Sequence, residues 1–346
     1  MNESALGLLS RLWLREPDSA TLTDSREIPT LALHVGEPDE MAAAYADLFL
    51  LNVYPYGTAF TDPSGELNGP AAARAARRYE ERGYRPAELF EVGAPDHVGL
   101  GLGYLDHLAE GGGKDAELFS SLSEWVPICC LAVEREPSAH PFYRAVAATT
   151  RDQVLEGALL CHSEERASPR HSEERASPCH SEERASPCHS EERSDEESVA
   201  LSKGPQIPRS ARDDTTVADE EEISLSQVVR FLLAPARSGI FLSRGKIGHL
   251  ARATGMPLPF GSRFDVAHLL FQTAGENGKV GMVLDRLEEE LTAWETEYRA
   301  WAAEHPRWTP ASTRWLQRTA ETRRRLDEMR EVLENPPELE SVIPER

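Results

Sequence analysis

LDRLEEELTAWETEYRAW, residues 284–301, is the stretch that decides the class of fold. Its apolar positions Leu284, Leu287, Leu291, Trp294, Tyr298 and Trp301 step by 3, 4, 3, 4 and 3 residues. A helix turns once in about 3.6 residues, so these six side chains share one stripe and form a heptad seam that must be covered. The run is too short for a free coiled coil. Beyond the turn around Pro306–Pro310, Trp315, Leu316, Leu326, Met329 and Leu333 recur at helical spacing and predict the antiparallel helix that covers the seam. The Trp294, Trp301 and Trp315 rings read as helix packing.

The same period extends upstream. Ile223–Leu233 reads as a helix ending at Pro235, Ser243 caps a helix closed by Gly255, and Arg263–Ala274 forms another. In the N-terminal half, Pro38 and the acidic Asp39 and Glu40 suit a first helical turn. Met41, Tyr45, Leu48 and Phe49 then mark one face of a helix that stops before Pro55. Ala71–Arg82 is a helix closed by Gly83. Asp115–Trp125 and Ser138–Leu160 read as two more, parted by Pro127 and Pro137. Leu6, Leu8, Leu9, Leu12 and Trp13 form a short amphipathic helix, interrupted by Arg11, and not a signal peptide. No segment alternates as a strand would. The fold class is all-α.

Between these halves, HSEERASP recurs at 162–169, 171–178 and 180–187, a nine-residue period. Residues 161–222 carry 17 acidic and 8 basic side chains and almost no branched apolar or aromatic residues. Such a segment cannot bury enough surface to offset its ordering entropy and is expected to be a disordered acidic insert. Three regions follow: a helical domain over 1–160, the insert over 161–222, and a C-terminal helical region over 223–346 ending in an antiparallel hairpin.

Thirty-seven basic residues against 59 acidic give a net charge of −22. This opposes general nucleic-acid binding, which neutralises phosphates with basic side chains, and it favours a basic partner. Five cysteines at 129, 130, 161, 179 and 188 offer no disulfide framework, so a reducing cytoplasm is the expected location. Nothing approaches the roughly 18 unbroken apolar residues of a spanning helix, so no membrane insertion is expected. Cys129 and Cys130 read as buried and inert. The pairs Cys161-His162, Cys179-His180 and Cys188-His189 have the right ligand chemistry for zinc or copper, but their spacing is that of the repeat and no designed metal site is expected. No phosphate-cradling loop and no catalytic triad or carboxylate pair has local support.

Two segments carry possible binding chemistry. In Glu91-Val-Gly-Ala-Pro-Asp-His97, Pro95 turns the chain away from helix and Asp96 is placed to cap the helix that follows. His97 then falls in the first turn, where the helix dipole disfavours a charged imidazole. Spacing alone gives a capped helix start, or an acidic residue and a histidine held on a rigid turn beside a groove. From Ile223 to His268 six basic residues meet one acidic. Among them Arg237, Arg244 and Arg263 are candidates for holding a phosphate, with solvated helix faces as the plainer reading.

The order of several motifs resembles the TorD/DmsD/NarJ family of redox-enzyme maturation chaperones. The matching pieces are Tyr45-Ala-Asp-Leu-Phe49, Val53-Tyr-Pro-Tyr56, Glu91 with Ala94-Pro-Asp-His97 entering Val98–Leu108, Trp125-Val-Pro127 and Pro141-Phe-Tyr143. The likeness covers residues 1–160, and the region from Ile223 resembles C-terminal extensions of some bacterial members. It implies an all-helical, non-enzymatic protein of the cytoplasm. The partners it implies are a molybdopterin oxidoreductase apoenzyme and that enzyme's twin-arginine signal peptide. It implies no resident cofactor, with at most a transient molybdopterin or nucleotide contact, and a monomer or a helix-swapped dimer. It also implies that Tyr45, Leu48, Phe49, Tyr54, Pro55 and Tyr56 line a peptide groove beside Glu91, Pro95, Asp96 and His97. Asp96 would meet cationic groups and the aromatics an apolar stretch. One departure stands out: where family members carry an acidic residue after the Asp-His pair, this chain has Gly99, Gly101 and Gly103. The alternatives are a nucleotide- or cofactor-handling protein working through the three arginines, and an adaptor whose acidic insert is the functional part.

Overall fold

The computed structural model describes residues 5–63, 68–86, 88–167, 225–257 and 261–334. Met1–Ala167 and Ile223–Arg346 make one compact unit. The insert from residue 168 onward, with all but the start of its first repeat, lies outside the described residues, as do the side chains of Cys161 and His162; the backbone of 161–167, expected to begin the disordered insert, instead ends the helix Pro141–Ala167. Of the described residues 77% are helical, and no strand occurs among them. The all-α expectation holds.

Helix α1, Ala5–Leu14, is a core element: Leu9, Leu12 and Trp13 are wholly buried, and the Trp13 indole donates to Thr150 Oγ1 at 2.9 Å. Helix α2 is Ser19–Ser25, with Asp18 at its N-cap. Helix α3, Pro38–Tyr45, runs on into a π-helical turn over Ala46–Asn52, in which the Val53 N–H reaches back five residues to Leu48 O. That extra residue keeps Leu48 and Phe49 inside while Leu50 and Leu51 stand in solvent at 64% and 51% exposure. Helix α4 is the single turn Gly57–Thr61, α5 is Pro70–Glu81, and α6 is Val98–Glu110.

The glycines of α6 now have a reason. A Cβ at Gly99 would sit 2.5 Å from Leu14 Cγ and 2.9 Å from the Ser10 carbonyl, and one at Gly103 would press on Ser10 and Tyr84 at 2.8 Å. Helix α1 packs directly on this bare face, and Ser10 Oγ donates to the Gly99 carbonyl at 2.8 Å. Gly101 does the same towards Leu122 of the next helix.

That helix, α7, corrects one expectation. It is one helix, Ala116–Glu134, with Pro127 inside it, where the proline suggested an end. It is also long and apolar enough, by length and composition, to cross a membrane, a feature that a search for unbroken apolar runs passes over. Here 67% of its most apolar stretch is buried in the protein, against α8, Pro141–Ala167, and its other neighbours.

In the C-terminal part, α9 is Leu225–Leu233, α10 is Arg244–Ala253 capped by Ser243, and α11 is Arg263–Glu276 with a capping box between Ser262 and Asp265. The heptad stretch forms α12, Val280–Glu304, with all six seam residues buried. Helix α13, Thr309–Glu334, covers it as expected, after a short 3-10 turn at Pro306–Trp308. This part joins the first half at its core. Phe60 stacks between Trp125 and Phe241 at centroid distances of 5.9 and 5.3 Å, and Asn52 Oδ1 accepts the Gly245 N–H at 2.8 Å. Glu290 of α12 takes Arg135 Nε at 2.9 Å, Lys246 Nζ at 2.6 Å and the Trp294 indole at 3.0 Å.

Candidate functional site

Two extended tripeptides meet beside α4 and α6. The Gly57 N–H donates to the Asp96 carbonyl at 2.9 Å, the Val98 N–H donates to the Pro55 carbonyl at 2.9 Å, and Tyr56 and His97 pair between them in antiparallel sense. Proline explains why both stretches stay extended: Pro55 and Pro95 each break the helix before them. Each tripeptide then opens into a helix, Gly57–Thr61 from one and Val98–Glu110 from the other.

The capping roles differ from the expectation. His97, not Asp96, caps α6: its Nδ1 accepts the Gly99 N–H at 3.1 Å, and its backbone is extended. Asp96 reaches across to the other helix. Its Oδ2 accepts the Thr58 N–H at 2.6 Å and the Thr58 hydroxyl, so one carboxylate oxygen closes the start of α4. The reason is the tripeptide pairing, which places Asp96 over α4 and leaves the position before Val98 to its neighbour.

His97 is buried, and removal from water pushes its imidazole down to about 3, so it is neutral at physiological pH. Because Nδ1 accepts, the ring proton sits on Nε2, which presents a donor. The ring stands edge-on to Tyr56 at 5.0 Å, and the Tyr56 hydroxyl donates to the Val92 carbonyl at 2.7 Å. Burial, and secondarily the Asp96 charge, raise the Tyr56 phenol above its usual range.

The turn separates two cavities. One, of about 340 Å³, is lined by Tyr45, Phe49, Leu50, Pro55, Tyr56 and His97, with Arg15 and Glu16 also at its wall. The other, of about 290 Å³, is lined on its apolar side by Leu118, Leu122 and Trp125, and on its polar side by Asp96, His97, Tyr79, Arg74 and Arg78. Asp96 is 7% exposed, and its Oδ1 is buried without a hydrogen-bond partner. A buried carboxylate oxygen left unpaired is costly, of order 1–3 kcal/mol, and calls for a donor. On the wall opposite, Arg78 donates to Asp115 at 2.5 Å and pairs with Glu117. Burial alone would raise Asp115, but its hydrogen bonds from Arg78 and the Leu118 N–H outweigh that and hold it low.

Of the residues singled out from sequence, Tyr45, Phe49, Pro55, Tyr56 and His97 therefore line one cavity and Asp96 lines the other, with His97 on both. Leu48 is wholly inside the core. Tyr54 faces the C-terminal part, where the Arg263 guanidinium lies 5.8 Å from its ring centroid. Pro95 is half-buried at the head of the turn, and the Glu91 side chain lies outside the described residues. Of the three candidate arginines, two are engaged separately and the third is exposed. Arg263 donates to the Leu233 carbonyl at 2.8 Å and packs on Phe241 at 4.8 Å, and burial brings it down to about 10. Arg244 donates to the Gly261 carbonyl at 3.2 Å, and Arg237 is exposed. Cys129 and Cys130 are buried free thiols, pushed up by burial. Among the described residues no three metal-ligating side chains cluster.

Sequence reading missed Thr58, Leu50, Tyr79 and Trp125. Thr58 carries no local signal, since its partner is 38 residues away. Leu50 was legible as the apolar residue next to an aromatic face, but only the π-helical turn exposes it. The model of the family described as nitrate reductase delta subunit matches residues 20–130, which span the residues lining the two cavities except Leu14, Arg15 and Glu16. No curated protein and no solved structure matches the chain.

Proposed function

We propose that this chain, whose residues 20–130 match the model of the nitrate reductase delta subunit family, is a NarJ/TorD-type molybdoenzyme maturation chaperone and binds the twin-arginine signal peptide of a molybdopterin oxidoreductase subunit in the cytoplasm. It holds the apoenzyme until cofactor is inserted, before export or assembly. It works by binding and release rather than by catalysis. The observation that carries this reading is the pair of cavities on either side of Asp96–His97. An aromatic groove flanked by the exposed Leu50 suits an apolar stretch, and a buried carboxylate oxygen without a donor suits a guanidinium. Neutral His97 joins the two without adding a repelling charge.

The test is fluorescence anisotropy of a labelled twin-arginine leader peptide titrated with the full chain. Saturable binding is expected, weakened at least tenfold by replacing both peptide arginines with glutamine. It is weakened similarly by Asp96→Asn, which keeps an acceptor for Thr58 but turns a donor towards the cavity. Binding that is indifferent to the arginines and to Asp96 would sink the reading.

A further inference from the structure

The family match ends at residue 130, yet part of the matched segment is completed by residues far beyond it. Pro127 lies in the interior of α7, and a proline has no N–H to give to the carbonyl four residues back. That carbonyl belongs to Ser123. It accepts instead from the Trp308 indole, at 2.8 Å. The next carbonyl, of Glu124, accepts from the Trp315 indole at 2.9 Å, and Arg314 pairs with the Glu124 side chain at 2.9 Å. Both indoles are 3% exposed. Trp308 stands edge-on to Trp301 at 5.4 Å, and Trp315 packs on Tyr298 at 6.1 Å, so the α12–α13 hairpin fixes both donors.

The turn they grip also walls the Asp96 cavity. Ser121, Leu122 and Trp125, on either side of Ser123 and Glu124, line that cavity. Trp125 is confined there with little slack: it stacks on Phe60, and a Cβ added at Gly57 would lie 3.1 Å from its ring. A shift of the proline-broken turn therefore moves the wall that faces Asp96.

We propose that Trp308 and Trp315 are positioning residues for the Asp96 cavity. The Trp308 indole N–H replaces the helical hydrogen bond that Pro127 removes, the Trp315 indole N–H adds a second on the next carbonyl, and together they set where Trp125 stands. The C-terminal hairpin is on this account a working part of the client site. The link to client binding rests on the function proposed above, whereas the link to the turn does not.

The experiment uses Trp308→Phe and Trp315→Phe, which keep an aromatic ring and delete only the donor, in the full chain. Hydrogen exchange is followed across α7 and leader-peptide affinity is measured under conditions where circular dichroism shows folded protein. Loss of one buried hydrogen bond corresponds to about tenfold faster exchange, expected over residues 118–127 and not over α12 or α6. Peptide affinity should fall severalfold in step. The decisive arm adds Pro127→Ala, which returns an N–H to the Ser123 carbonyl: in Trp308→Phe/Pro127→Ala the exchange of 118–127 should return towards that of the parent. Unchanged exchange in both tryptophan variants, loss of protection spread over the whole chain, or no rescue by Pro127→Ala would each overturn the proposal. Should the parent chain bind no leader peptide, the proposed function fails, and the exchange and rescue arms still decide the positioning role. Altered exchange with unaltered affinity would leave the grip on the turn but remove its role in binding.

Discussion

Two buried carboxylates, Asp96 by the paired tripeptides and Glu290 where the halves of the molecule meet, are 7% and 6% exposed. They differ in how fully they are satisfied. Glu290 receives Arg135, Lys246 and the Trp294 indole, so its charge is balanced and its oxygens are occupied. Asp96 receives the backbone N–H and hydroxyl of Thr58 on one oxygen and nothing on the other, and the residue is part of a cavity wall. A satisfied buried carboxylate is a rivet and a half-satisfied one keeps capacity for a ligand. Burial alone does not separate these two carboxylates; the count of donors does.

The comparison is most severely tested at the rivet. Glu290→Ala leaves Arg135 and Lys246 without their shared anion and is expected to cost about 3–5 kcal/mol, read as a large loss in a denaturant titration. Burial by itself would raise Glu290, but the hydrogen bonds from Arg135 and Lys246 prevail and hold it below the ordinary carboxylate range. Its contribution is thus present above the unfolded value of about 4.3 and fades as pH falls through the lower folded value. The gap between parent and Glu290→Gln should shrink in acid. A Glu290→Ala protein as stable as the parent would undo the contrast.

His97 gives the next effect. Its folded value of about 3 lies well below the unfolded value of about 6.5, so in acid the unfolded chain takes up a proton that the folded chain refuses. Stability should fall by about 1.4 kcal/mol per pH unit from 6.5 downwards, towards 3, and this slope should flatten in His97→Asn, where the amide still caps α6. Equal slopes would mean that His97 is not held neutral. Gly99→Ala follows, with an expected cost of about 1–3 kcal/mol, because its Cβ would press on backbone at Ser10 as well as on Leu14. Thermal melting reads it, and a neutral result would show that α1 can slide off α6.

Asp96→Asn sharpens the contrast from the other side. The Thr58 contacts keep an acceptor, so the stability change should stay under about 1 kcal/mol, while leader-peptide affinity falls at least tenfold. A large stability loss with intact binding would make Asp96 a second rivet. Least disturbing is Leu50→Ser: the side chain is 64% exposed, so melting should not change, and only peptide affinity should drop.

Much of this was readable in the sequence because it depends on neighbours along one helix. The 3-4 spacing of Leu284 to Trp301 required a covering helix, and α13 supplies it. The Pro55 and Pro95 breaks mark the two tripeptides, and Tyr45, Phe49 and His97, singled out by their side-chain chemistry, line one cavity. What misled was local inference where the deciding partner was remote. Asp96 has the side chain of a helix cap, yet it caps a helix that starts 39 residues earlier, because the pairing of Tyr56 with His97 brings Thr58 to it. Pro127 has the marks of a helix end, yet the helix continues because the Trp308 indole meets the carbonyl that proline leaves open. Three arginines in a basic segment suggested one anion site, and the fold set Arg244 and Arg263 on separate partners and left Arg237 exposed. The sequence by itself determined the helical class, the breaks in it and the chemistry of the side chains beside those breaks, since periodicity, proline and side-chain chemistry act over one or two turns. Tertiary structure decided which of those side chains are satisfied, since a hydrogen-bond donor from 38 or 185 residues away is fixed only when the chain has folded back on itself.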